Sequence, residues 1–252
     1  MSRRIGPSRL VVLLAVVLVR PAHAAAPAFS YAALDTVLTR YVHEGRVDYG
    51  GIARDSGPLE RFLAAARDAR PGTWSRDDQI AFWVNVYNAR VLDGVVRRPG
   101  LKSVLDVGRT LGVPTLSFFR EQAPSAGRRL SLNDIEHDIL RKGFHEPRIH
   151  FVLNCASASC PALPARALSG ATLDSLLDAA ASAFLLDRAR NQIDSDSELR
   201  LSSLFKWYRS DFDESAGSLP LFVRRYWKGW GVIRRNAPIR FLDYDWSLNG
   251  YW

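Results

Sequence analysis

Apolar residues recur at helical spacing over residues 31–42, where Leu34, Val37, Leu38 and Tyr41 share one side, and again over residues 59–69, ahead of Pro71-Gly72. Both runs predict amphipathic helices, with Gly45-Arg46-Val47-Asp48-Tyr49-Gly50-Gly51 as the turn between them. A third helix is predicted from a Ser75 cap, through Asp77 and Asp78 in its first turn, to about Val96. Ile80, Phe82, Trp83, Val84, Val86, Tyr87, Val91, Leu92 and Val95 leave it no broad polar face, so it is expected to be buried nearly all round. Further helices are predicted after Ser131, over 172–189, 204–212 and 220–230, and short strands over 115–119, 199–201 and 239–246. Ile149, Phe151 and Leu153 alternate with His150, Val152 and Asn154, which predicts a largely buried strand. Helices outnumber strands, so the expected fold class is α+β, a mainly helical single domain around a small β-sheet.

Polar residues inside these apolar patterns mark the first candidates. Asn85 and Asn88 lie one turn apart in the third helix and need hydrogen-bond partners if buried. They either tie down a neighbouring backbone or orient a reacting group. In the helix after Ser131, Leu132, Ile135, Ile139 and Leu140 form the apolar face, with Glu136 inside its arc and His137 near its edge. A carboxylate in such a position needs a partner or a task.

Both cysteines, Cys155 and Cys160, follow the residue 149–154 run in a loop of small residues, so any thiol chemistry is concentrated there. Arg3, Arg4 and Arg9, an unbroken apolar run from Leu10 to Val19, and Ala22-His23-Ala24 read as a cleavable leader over residues 1–24, with the globular domain over 25–252. The expected location is therefore periplasmic or extracellular, with no integral membrane segment after cleavage. The leader's four arginines carry half of the formal charge of +8. The remaining basic residues are scattered among acids, which argues against nucleic acid as a partner. A pair of cysteines in an exported chain favours a disulfide.

A thiol hydrolase needs a nucleophile, a base, a group that orients the base and donors for the oxyanion. Cys160 or Cys155 can supply the first, Cys160 being preferred because Pro161 is expected to open a helical turn. His137 is the candidate base, and Asn85, Asn88 or Glu136 the orienting group. His150 is a second candidate base or a binding residue, and Trp83, Lys206 and Tyr208 are candidate binding residues. Cys155, Cys160, His137 and His150 match zinc spacing only loosely, so no metal and no cofactor is expected. The reading is thus a thiol-dependent Cys-His hydrolase or acyl transferase acting on an unidentified small molecule or peptide. The alternative is a noncatalytic ligand- or partner-binding domain with a structural Cys155–Cys160 disulfide.

Several segments together resemble the bacterial and plant family called domain of unknown function 547. They are residues 81–89 (AFWVNVYNA), 132–141 (LNDIEHDILR), 147–161, 204–212 and 242–249. This resemblance implies no established activity. A more distant similarity to papain-like and transglutaminase-like cysteine hydrolases rests on the Cys, His and Asn residues, although His137 precedes both cysteines, opposite to the papain order.

Overall fold

Ser75 accepts a hydrogen bond from the Asp78 amide at 3.1 Å and starts a helix, Arg76–Val96, whose residues from Ile80 to Leu92 are all buried. The computed structural model describes residues 29–108, 116–193, 198–229 and 231–252; the expected leader lies outside them. Before the buried helix (α4) come α1 (Ala32–Tyr41), the hairpin β1 (Val42–His43) and β2 (Arg46–Asp48), α2 (Tyr49–Arg54) and α3 (Gly57–Asp68). After it come α5 (Ser117–Arg120), the hairpin β3 (Ala123–Ser125) and β4 (Arg128–Leu130), a π-helix (Asp134–Arg141) and α6 (Lys142–Phe144). The chain continues through a 3-10 helix (Pro147–Phe151), α7 (Leu173–Leu186), β5 (Leu199–Ser202), α8 (Leu204–Trp207), α9 (Arg209–Ala216), α10 (Leu219–Tyr226), β6 (Ile239–Leu242) and β7 (Gly250–Tyr251).

The fold is α+β and mainly helical, as the periodicity indicates. The strands divide into separate small pairings rather than one sheet: β1-β2-β7, β3-β4 and β5-β6. Parallel pairing of β2 with β7, with Val47 opposite Gly250, brings the C-terminal segment back to the first hairpin. A Cβ on Gly250 would lie 2.1 Å from the Val47 carbonyl oxygen, so this approach requires glycine.

Two apolar clusters fill the interior. One surrounds α4 and includes Ile149; the other gathers Phe151, Phe184, Phe205, Phe212 and Phe222. This explains the first departure from the sequence reading. Residues 147–151 form a 3-10 helix, not a strand, begun by Pro147 and capped by the Glu146 carboxylate on the Arg148 amide at 3.1 Å. Ile149 and Phe151 are sent into different cores, so the segment is buried on both sides and its apolar alternation carries no strand information.

The strand expected over 115–119 is replaced by a helical turn, Ser117–Arg120; Thr115 lies outside the described residues. Phe118 and Phe119 are both buried on that turn, which again erases the two-residue period. The aromatic run 204–212 is helical but breaks at Tyr208 between α8 and α9. The helix expected over 220–230 ends at Tyr226, and Trp230 lies outside the described residues. No described helix is long and apolar enough to cross a membrane.

Candidate functional site

The element that places most of the site is the π-helix. Ser131 and Asp134 cap its start reciprocally, the Asp134 amide donating to Ser131 Oγ at 3.1 Å and the Ser131 amide to Asp134 Oδ2 at 2.7 Å. The sequence reading expected an α-helix here, but residues 134–141 adopt the wider i→i+5 winding. Such winding is rare and concentrates at functional sites. Glu136 is buried, as its place in the apolar arc required, and His137 is half-buried.

Glu136, His137 and Arg141 from the π-helix, His150 from the 3-10 helix, and both cysteines line one cavity of about 350 Å³. Tyr87, Trp207, Tyr208, Tyr244 and Trp246 supply much of the remaining wall. The volume lies in the range of small-molecule sites.

Cys155 and Cys160 form a disulfide in this wall, with Cα atoms 6.1 Å apart. Tyr244 Oη lies 3.3 Å from each sulfur, and burial pushes its phenol up to about 12. The Cys155 amide points at Cys160 Sγ at 2.8 Å. Pro161 does not open a helix, so the expected helix-terminus effect on Cys160 is absent and local donors take its place. The disulfide also removes both sulfurs from the zinc set. Among the described residues no cluster of three His, Cys, Asp or Glu side chains is arranged to hold a metal.

The C-terminal segment straps the cysteine loop. The Ala158 amide donates to the Ser247 carbonyl at 2.8 Å and the Asp245 amide to Ser159 Oγ at 2.9 Å. Asn249 Nδ2 donates to Asn154 Oδ1 at 3.1 Å, which also accepts from the Ala156 amide at 2.9 Å. Ala156 is held at φ +61°, a left-handed conformation unusual for alanine. This strap is what carries Tyr244 to the sulfurs and Trp246 to the cavity wall.

A bracket of charges joins the wall residues Arg141, His137 and His150 to Asp211 behind them. Arg141 Nε and Nη2 each donate to Asp211 at 2.7 Å, and Arg141 Nη1 donates to His137 Nδ1 at 3.0 Å. Because guanidinium only donates, His137 Nδ1 must accept, and the hydrogen-bond network assigns its proton to Nε2. In this arrangement His137 is a donor rather than a base. His150 Nε2 lies 2.8 Å from Asp211 Oδ2, and its ring stacks on Tyr208 with centroids 3.8 Å apart. Burial pushes the His150 imidazole down, against the pull of Asp211 and Glu136. Burial alone would raise the Asp211 carboxyl, but hydrogen bonds from Arg141 and His150 outweigh it and hold it well below the usual carboxylate range. Burial drives the Tyr87 and Tyr208 phenols up, and the Glu136 carboxylate, within hydrogen-bonding reach of both, drives them further.

Four of the expected residues stand outside the cavity. Asn85 exchanges two hydrogen bonds with the backbone of Leu168, at 2.8 and 3.0 Å. Asn88 donates to the Val152 carbonyl at 2.8 Å and accepts from the Asn154 amide at 2.9 Å. Both amides are thus committed to backbone, and Asn88 sets where the cysteine loop departs. Trp83 is buried in the core with the Arg128 guanidinium over its ring, and Lys206 is exposed and does not line the cavity. Sequence reasoning did not single out Tyr87, Arg141, Trp207, Asp211, Tyr244 or Trp246. All six sit in the motifs over residues 81–89, 132–141, 204–212 and 242–249, the signal that could have marked them.

The fold and site define a mainly helical α+β protein with a disulfide-walled, aromatic cavity. Residues 71–185 match the family model described as protein of unknown function, DUF547, and this central region belongs to that family. The match takes in Glu136, His137, Arg141, His150 and both cysteines, and ends before α8, α9 and the C-terminal strap. No curated protein and no solved structure matches the chain.

Proposed function

We propose that this protein is an exported domain that binds a small organic molecule or peptide end in the cavity beside the Cys155–Cys160 disulfide. The observation that carries the reading is the disulfide itself: two sulfurs bonded to each other leave no resting thiolate to attack a carbonyl. Support for a ligand comes from the aromatic lining and from a wall braced by the Arg141–Asp211 pair. Export is supported by the basic and apolar start of the chain, and a disulfide suits an oxidising compartment. The test is ligand-observed NMR of a small-molecule set against the oxidised protein. Binders should lose their signal in Tyr208→Ala and Trp246→Ala; binding unchanged in both variants would remove the cavity from the proposal.

A second reading is thiol-dependent acyl transfer by the reduced protein, favoured by the surroundings of Cys160. Its sulfur lies 2.8 Å from the Cys155 amide, 3.3 Å from Tyr244 Oη and 3.5 Å from Ser157 Oγ, donors that would stabilise a thiolate, and it shares the cavity with His137 and Glu136. Reduced protein incubated with 4-nitrophenyl acetate decides it. A burst of nitrophenol with acetyl on Cys160, slowed in His137→Ala, would establish thiol catalysis, whereas equal release from Cys160→Ser would end that reading.

A further inference from the structure

We infer that the cavity selects its ligand by a positively charged nitrogen, so that an organic amine or quaternary ammonium group is the class it takes; this rests on the cavity being a ligand site. Glu136 is 7% exposed and lines the cavity. Tyr87 and Tyr208 line the same cavity and carry hydroxyls but no charge. Among the described residues no lysine or arginine forms an ion pair with it. Arg141 is near enough to be felt electrostatically, but it directs Nε and Nη2 to Asp211 and Nη1 to His137 and forms no ion pair with Glu136.

The pairing of charges follows. Arg141 and Asp211 are paired with each other, His150 Nε2 sits on Asp211, and His137 accepts at Nδ1 from Arg141, so Glu136 is the cavity-lining acid left without an ion-pair partner among the described residues. A carboxylate taken out of water without a counter-charge is costly, and an entering cation offsets that cost. The rest of the lining favours the same class. Trp207, Tyr244 and Trp246 form an aromatic cluster with centroids 4.6 to 5.6 Å apart, and the faces of such rings attract cations. An anionic ligand would face Glu136, and a neutral apolar one would leave its charge buried and uncompensated.

The experiment compares choline with its neutral isostere 3,3-dimethylbutan-1-ol on the oxidised full chain, by ligand-observed NMR up to about 10 mM. Choline is expected to bind at least about tenfold more tightly. Glu136→Gln, which keeps the shape and removes the charge, should cut that preference several-fold, the aromatic faces retaining the remainder; a preference as large as in the wild type would overturn the role of Glu136. Equal binding of the two probes overturns the cation class and leaves the cavity reading standing; binding of neither overturns both. The wild-type comparison decides the matter even if Glu136→Gln fails to fold.

Discussion

Arg141 and Asp211 meet through two parallel contacts of 2.7 Å, joining the π-helix to α9 across seventy residues of sequence. The pair does two things at once: it fixes the third guanidinium nitrogen on His137, and it leaves the outer edge of Asp211 for His150. A planar fork is needed for that geometry, which a lysine cannot reproduce.

Removing the carboxylate charge should therefore loosen the site and the fold together. Asp211→Asn is expected to lower stability by about 2 kcal/mol, allowing for the partial exposure of the pair, and Arg141→Lys by a similar amount. Urea unfolding at neutral pH measures both. Since Asp211 is held below its ordinary range, its contribution is present above about pH 4 and is lost as acid protonates it in the folded state. The stability curve of Asp211→Asn should be flatter than wild type below about pH 4.

His150 predicts a different pH window. Its imidazole is pushed down by burial, so the unfolded chain takes up the proton first and stability falls as the pH drops below about 6.5. His150→Gln should reduce the loss between pH 7 and pH 5, measured by thermal unfolding. An unchanged slope would mean that His150 is charged in the folded protein.

Denaturing alkylation without reductant should label neither cysteine, and alkylation after reduction should label both, read by intact mass. The disulfide closes a loop with a sequence separation of 5, so its chain-entropy contribution is about 2 kcal/mol. The Cys155→Ser, Cys160→Ser double variant should lose about that much stability and still fold.

Asn88→Ala should cost about 3 kcal/mol, because the Val152 carbonyl and the Asn154 amide would be left buried without partners. A loss of ligand affinity through movement of the cysteine loop, with no contact to the ligand, would mark Asn88 as a positioning residue. Comparing affinity in Asn88→Ala and Asn85→Ala separates the two effects, since Asn85 holds the Leu168 backbone instead.

Local pattern alone determined the helices with a polar face, the all-round burial of α4, the buried Glu136 and the concentration of sulfur chemistry in one loop. Those features follow from spacing along the chain and from the cost of burying charge. What the tertiary structure decided is the winding of residues 134–141, the 3-10 form of residues 147–151, and the partners of the buried polar side chains Asn85, Asn88 and His150. Residues buried on two sides carry no period, which is why the 149–154 run imitates a strand. The bracket from Arg141 to Asp211 and the strap that delivers Tyr244 to the sulfurs join segments seventy and more than eighty residues apart. Their pairing depends on how the two cores pack together, a long-range arrangement that spacing within a single element does not contain.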